Sequence, residues 1–313
     1  MCIKLKITKK ILDGEYREYL PSKALKKYIS KYYFTEGFNS LKGKKINTIN
    51  KCNAEMVIHY GEEKINFYNK KIKQNVKNTA TIIGGHQSTN LREYKASGEI
   101  MMFTVEFNYI GILKLLSVYP VDIINAVINI EDVFGETSHK LLQDFFNETD
   151  DLLRIKHIEN YFLNILKETE EKYCKENLLL EFMDTMVSSG KSIKKISEDL
   201  HINRRYIERN FKKKIGYSLK EFYKIMRINY ACSELYKNYP QENLSEIAEK
   251  SKYFDLSHFN REFKQLTNHS PYNYLNSNSS LIYLGRGYLI YDYIYDENTS
   301  CISDTNACVN ELC

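Results

Sequence analysis

Two spacings of apolar residues divide the chain. Through residues 1–135 the apolar positions come in short or alternating runs: Lys45–Asn50, Met56–Tyr60, Ile65–Tyr68, Thr81–Ile83 and Met101–Phe107. Turn-forming stretches such as Gly61-Glu62-Glu63 and Gly84-Gly85 part them. Runs of this kind mark half-buried strands, so an antiparallel barrel or sandwich is expected here. Pro21–Lys31 and Tyr109–Val118 carry helical spacing instead. From Ser138 the period lengthens to that of a helix. Leu141, Leu142, Phe145 and Phe146, then Leu152, Ile155, Ile158, Phe162, Ile165 and Leu166, predict two helices with apolar stripes.

The helical spacing then repeats itself. Ile193–Phe222 is echoed by Leu244–Tyr274: Ile193 answers Leu244, Ile196 answers Ile247, and Ser197 answers Ala248. After one extra residue in the second turn, Ile207, Arg209, Phe211 and Lys212 answer Phe259, Arg261, Phe263 and Lys264, and Gly216 answers Asn268. Each copy predicts a short amphipathic helix, a tight turn and a second helix, the outline of a helix-turn-helix unit. Lys175–Ser189 predicts a helix leading in. Ser218–Leu235 predicts a long helix joining the units, ended by Asn238-Tyr239-Pro240. The expected architecture is therefore α+β with two domains. An N-terminal antiparallel β-barrel or sandwich-like domain with helices spans 1–170. An all-α domain of two helix-turn-helix units joined by a linker helix spans 171–276. A Tyr-rich, partly disordered tail spans 277–313.

Charge sharpens this picture. The net formal charge is only +5, but Lys191–Arg227 holds 12 basic against 4 acidic residues. Such a patch points to a polyanionic partner, and double-stranded DNA is the first to consider. In each unit the second helix buries Ile207 and Phe211, or Phe259 and Phe263, which leaves its other face for a major groove. That face offers Asn203, Arg204, Arg205, Glu208 and Arg209 in the first unit, and Ser257, His258, Asn260 and Arg261 in the second. Arg can bond guanine in pairs and Asn can bond adenine. Lys212, Lys213, Lys214 and Lys264 are suited to phosphates, which position without reading sequence.

The residues Ile207-x-Arg209-x-Phe211-Lys212-(x)3-Gly216 and Tyr253–Lys264, followed by Ser270-Pro271-(x)2-Tyr274, resemble the DNA-binding domain of the AraC family of bacterial transcription regulators. Arg227-(x)3-Ala231 matches that family's linker helix. The resemblance covers about residues 175–275 and implies a transcription regulator that reads DNA through both units. Where the family carries Gly in the turns, this chain has His201 and Lys252; it also has Asn268 for Gly and Leu219 for Pro. Lys252 in a left-handed turn is expected to cost about 1 kcal/mol. A fainter likeness, at Ile82–Gln87 and Thr104–Phe107, links the N-terminal half to the sensing or dimerising domains that precede such readers. A small-molecule effector and a homodimer are thus further expected partners.

Other chemistry has little footing. His59 and His86, with Cys52 and Glu55, lack the His-x-His spacing of a barrel metal site. No GxGxxG or GxxxxGK[ST] pattern occurs, so Gly84-Gly85 reads as a turn. No nucleophile–base order emerges, so neither an enzyme nor a cofactor is expected. The seven cysteines have no CxxC pair, the N-terminus has no apolar signal core, and no run of 18 apolar residues exists; the expected location is the cytoplasm, with no membrane partner. Two alternatives stay open: an enzyme or small-molecule-binding protein with an accessory DNA-binding domain, and an interaction module using the helical repeats.

Overall fold

A computed structural model describes residues 3–11, 14–37, 45–48, 52–61, 80–85, 92–95, 99–169, 181–182, 185 and 193–276. The expected strand at Ile65–Tyr68, most of the helix expected over Lys175–Ser189, His86 and the tail from 277 lie outside them.

The N-terminal region is built on β1 (Lys4–Ile11), β2 (Gly14–Leu20), β3 (Ile29–Gly37), β4 (Lys45–Thr48), β5 (Ala54–His59), β6 (Ala80–Ile83), β7 (Arg92–Lys95), β8 (Ile100–Phe107) and β9 (Val127–Asn129). Seven of these form one antiparallel sheet in the order β1-β2-β3-β8-β5-β6-β9, while β4 pairs with β7. Interleaved and following are α1 (Tyr109–Leu115), α2 (Pro120–Ile123), α3 (Ile130–Phe134), α4 (Thr137–Phe146) and α5 (Asp151–Thr169).

Register explains which residues share a face. Tyr32 lies opposite Val105 and Phe34 opposite Phe103; Met56 and Ile58 meet Val105 and Phe103 from the other side. Those side chains pack with Phe145, Ile155, Ile158 and Phe162 of α4 and α5 into one core. Burying a Phe of this kind contributes about 1.5–3 kcal/mol. The opposite face is also buried, yet polar. Lys31 and Glu18 are wholly buried there and pair at 2.9 Å, with Tyr16 donating to Glu18 at 2.6 Å. Thr104 and Glu106 lie beside them on β8. Two carboxylates tie the sheet to α5: Asp151 accepts from Arg17 at 2.7 Å, and buried Glu159 accepts from the Ser22 amide at 2.7 Å.

The helix expected over Pro21–Lys31 is not formed. Residues 23–28 make a turn, closed by Ile29 N–H donating to Leu25 at 2.9 Å, and β3 begins at Ile29. Ile29 and the aromatic run Tyr32–Phe34 favour a strand, and one turn alone supplies the helical spacing of Leu25 and Ile29. The Gly84-Gly85 turn has a packing cause: a Cβ at Gly84 would lie 1.8 Å from the Ile123 carbonyl oxygen at the end of α2.

The C-terminal region is helical throughout its described residues: α6 (Ile193–Asp199), α7 (Arg204–Ile215), α8 (Leu219–Asn238), α9 (Leu244–Lys250), α10 (Leu256–Thr267) and α11 (Pro271–Asn276). Ile228, Ala231, Cys232 and Leu235 of α8 form one core with Ile247, Phe259, Phe263 and Tyr274. The second core gathers Ile196, Ile207, Phe211, Tyr217 and Phe222 around Tyr109, Ile110 and Cys52 from the N-terminal region. That core spans the expected boundary near residue 170.

Candidate nucleic-acid interface

The two units close their turns in the same way. In the first, the His201 N–H donates to Glu198 at 3.1 Å and the Ile202 N–H to Ser197 at 2.9 Å; in the second, Lys252 donates to Glu249 at 2.8 Å and Tyr253 to Ala248 at 2.9 Å. This is a Schellman ending, which needs a left-handed residue. His201 and Lys252 supply it with φ of 52° and 60°. The second helix of each unit starts on a polar cap. The Asn203 side chain accepts from the Arg205 and Tyr206 amides at 2.9 and 3.4 Å; Asp255 accepts from His258 at 2.7 Å. Each of these helices also ends left-handed, at Gly216 (φ 88°) and Asn268 (φ 59°). The expected repeat is thus a structural repeat, cap for cap.

Inward positions of α7 and α10 are filled as expected by Ile207 and Phe211, and by Phe259 and Phe263. Their outward faces hold the expected polar residues. Arg205, Arg209, Lys212 and Lys213 are exposed on α7, as are Ser257, Arg261 and Lys264 on α10, and none of these cations joins an ion pair among the described residues. Arg204 pairs with Glu208 at 2.9 Å. Asn203 is occupied as the cap of α7. Half-buried His258 packs its ring against Tyr253, 5.3 Å between centroids, and Asn260 is half-buried. Lys214 turns away from this face: its ammonium lies over the Tyr119 ring, 4.9 Å from the centroid, beside α2.

Sequence reasoning placed Arg227 only in the linker helix. Its guanidinium pairs with Glu262 of α10, lies 3.9 Å over the Tyr253 ring and donates to the Lys252 carbonyl at 3.4 Å. Lys224, one turn earlier, donates to Gln265 at 2.9 Å. The linker helix therefore packs apolar residues against both units and adds a cationic grip on the second. A capping box at Ser218 and Glu221 starts that helix; the Ser218 amide holds the Glu221 carboxyl below its ordinary range. Among the described residues, no group of three or more His, Cys, Asp or Glu is placed to hold a metal. No described helix is long and apolar enough to cross a membrane.

Comparison with known proteins bears on both regions. A family model described as a helix-turn-helix domain matches residues 196–277, and one described as a domain of unknown function (DUF6597) matches residues 17–129. Among curated proteins, GTPase Era of Borreliella afzelii is 28% identical over 144 residues, 45% of this chain and 46% of Era. The uncharacterized HTH-type transcriptional regulator YtdP of Bacillus subtilis is 28% identical over 158 residues, 48% of this chain and 20% of YtdP. The chain thus spans less than half the length of either relative. Among solved structures, a transcriptional regulator from Chromobacterium violaceum with an AraC-type DNA-binding domain is 20% identical, with a TM-score of 0.28, over 33% of this chain and 89% of that one. With the duplicated motif and its matched turns, the family match identifies residues 196–277 as a helix-turn-helix domain, and the motifs within it resemble those of the AraC family.

Proposed function

We propose that the chain is a cytoplasmic, sequence-specific DNA-binding regulator of transcription. The observation that carries this reading is the matched pair of units: two helices, α7 and α10, entered through the same turn, capped at the same positions and mounted on one linker helix. Such helices enter major grooves with their N-terminal residues against base edges. Arg205, Arg209, Ser257, Asn260 and Arg261 are the proposed base readers, with His258 at the edge of that set. Lys212, Lys213 and Lys264 take phosphates, and Asn203, Arg204 and Glu208 order the start of α7. The basic excess over Lys191–Arg227 captures DNA first and makes binding salt-dependent.

The N-terminal region modulates this reader, with a small-molecule effector as its input and a homodimer as the assembly. Tyr109, Ile110 and Cys52 complete the core of the first unit, so a shift in α1 is felt in the packing of α7. The similarity to Era does not favour a GTPase, because the phosphate-cradling pattern GxxxxGK[ST] is absent from the sequence. The test is selection of binding sites from a random duplex pool by the full chain at a fixed salt concentration. An enriched sequence with two contact regions about 34 Å apart is expected. Failure to enrich any sequence, with binding that ignores salt, would reject DNA reading and move the protein-interaction alternative ahead.

A further inference from the structure

One residue of the second unit has no counterpart in the first. From the left-handed residue to the helix cap, the first unit runs His201-Ile202-Asn203 and the second Lys252-Tyr253-Phe254-Asp255. Ile202 and Tyr253 occupy the same place, since their amides close the same turn bond to Ser197 and Ala248. Asn203 and Asp255 are both caps. The extra residue is therefore Phe254. Its side chain is 98% exposed, far more than any other large apolar residue among those described.

The backbone around that ring is held on both sides. Before it, Tyr253 is buried, packed on Phe259 with 5.1 Å between centroids and covered by Arg227. After it, Asp255 accepts from the His258 amide at 2.7 Å, and the Phe259 amide donates to the Asp255 carbonyl at 3.1 Å. The ring thus stands outside the fold on a fixed stem, directly before the cap of α10. A phenyl ring offers no strong hydrogen bond, which suits it to an apolar group on its partner. In the major groove the base pairs show donors and acceptors, with a single apolar group, the C5 methyl of thymine.

We propose that Phe254 is a specificity-determining residue that reads a thymine methyl beside the bases reached by α10. This rests on the reading of α7 and α10 as major-groove readers. It gives the second half of the site a thymine preference that the first unit, having no such residue, does not impose.

The test uses the full chain and the duplex it selects. Each thymine is replaced in turn by deoxyuridine, which deletes only the methyl, and affinity is measured for the wild type and for Phe254→Ala. One replacement, in the half of the site read by the second unit, is expected to weaken the wild type about fourfold, the worth of one buried methyl-sized group. Phe254→Ala is expected to show that loss already on the thymine duplex and no further loss on the deoxyuridine one. Its salt slope and thermal midpoint should match the wild type, because the ring packs on nothing. A Phe254→Ala chain as sensitive to deoxyuridine as the wild type would overturn the inference and leave the ring to another partner, such as a protein. A selected half-site without thymine would also overturn it, with DNA reading intact; a wild type that selects nothing would remove both.

Discussion

Arg227 of the linker helix and Glu262 of α10 form an ion pair, with the guanidinium sandwiched against the Tyr253 ring. Glu262 is buried and its partner is half-buried, so removing the carboxylate strands a cation with little water to replace it. We expect Glu262→Ala to destabilise the chain by about 2–4 kcal/mol. The denaturant midpoint should fall with no change in slope, as the pair locks α10 in place without altering how much surface folding buries.

Lys252 adopts the left-handed turn that closes the second unit, with φ at 60°. A Cβ is disfavoured there and the lysine side chain is exposed, so relief of the backbone conformation is the larger effect of replacement by glycine. Lys252→Gly is expected to stabilise by about 0.5–1 kcal/mol. Lys252→Ala, which keeps the Cβ, should leave the thermal midpoint nearly unchanged. Equal gains from both would show that side-chain charge, and not backbone conformation, sets the cost.

The helical repeat was legible because its buried positions recur at helical spacing and its turn and cap residues are distinctive. Phe211, Phe263, Gly216 and Asn268 fall where the repeat puts them. β3 was not legible: Ser30 and Lys31 are buried along with Ile29, Tyr32 and Phe34, so polarity does not mark its faces, and Leu25 and Ile29 together mimic a helix. β1 and β2 were missed as well, their alternation blurred by lysines and tyrosines. The grip of Arg227 on the second unit was hidden for another reason. Its partner stands 35 residues away, and neither residue signals the other locally.

Arg205 and Lys213 both sit exposed on α7 outside any ion pair among the described residues, yet they are assigned different work. Arg205 lies in the first turn, where base edges come within reach, and Lys213 in the last. Arg205→Ala should cost about 1–3 kcal/mol on the selected site and relax its sequence preference. Lys213→Ala should weaken binding on all sequences alike and reduce the salt slope by about one. Titrations on specific and scrambled duplexes at several salt concentrations separate the two. Identical losses everywhere would abolish the distinction.

His59, at the end of β5, is buried, and burial lowers its pKa from 6.5 to about 4. Below pH 6.5 the unfolded chain takes up a proton that the folded chain refuses, so the unfolded state binds more protons. Stability is therefore unaffected by His59 above that pH and falls as pH drops towards 4, by about 1.4 kcal/mol per unit and about 3 kcal/mol in all. Carboxylates titrate in the same window, so the reading is the difference between the wild type and His59→Gln. Parallel stability curves for the two would mean that His59 protonates in the fold as readily as in water.

Tyr109 and Phe222 meet edge to face across the junction of the two regions, 5.9 Å between centroids. Phe222 in turn contacts Phe211 of α7 at 5.2 Å, so Tyr109 closes the first unit's core from outside its own repeat. Among the described residues, the core of the second unit is made by α8 through α11 alone, with no such debt to the N-terminal region. Tyr109→Ala should therefore loosen one unit and spare the other. Truncating a buried aromatic costs about 3–5 kcal/mol, and half of that suffices for a measurable change in local opening. Amide exchange should accelerate in α6 and α7 while α9 and α10 keep their protection. On the selected duplex, contacts to the first half of the site should weaken ahead of those to the second. Uniform acceleration in both units would mean that the domain opens as a whole, and that the N-terminal region cannot address one reader without the other.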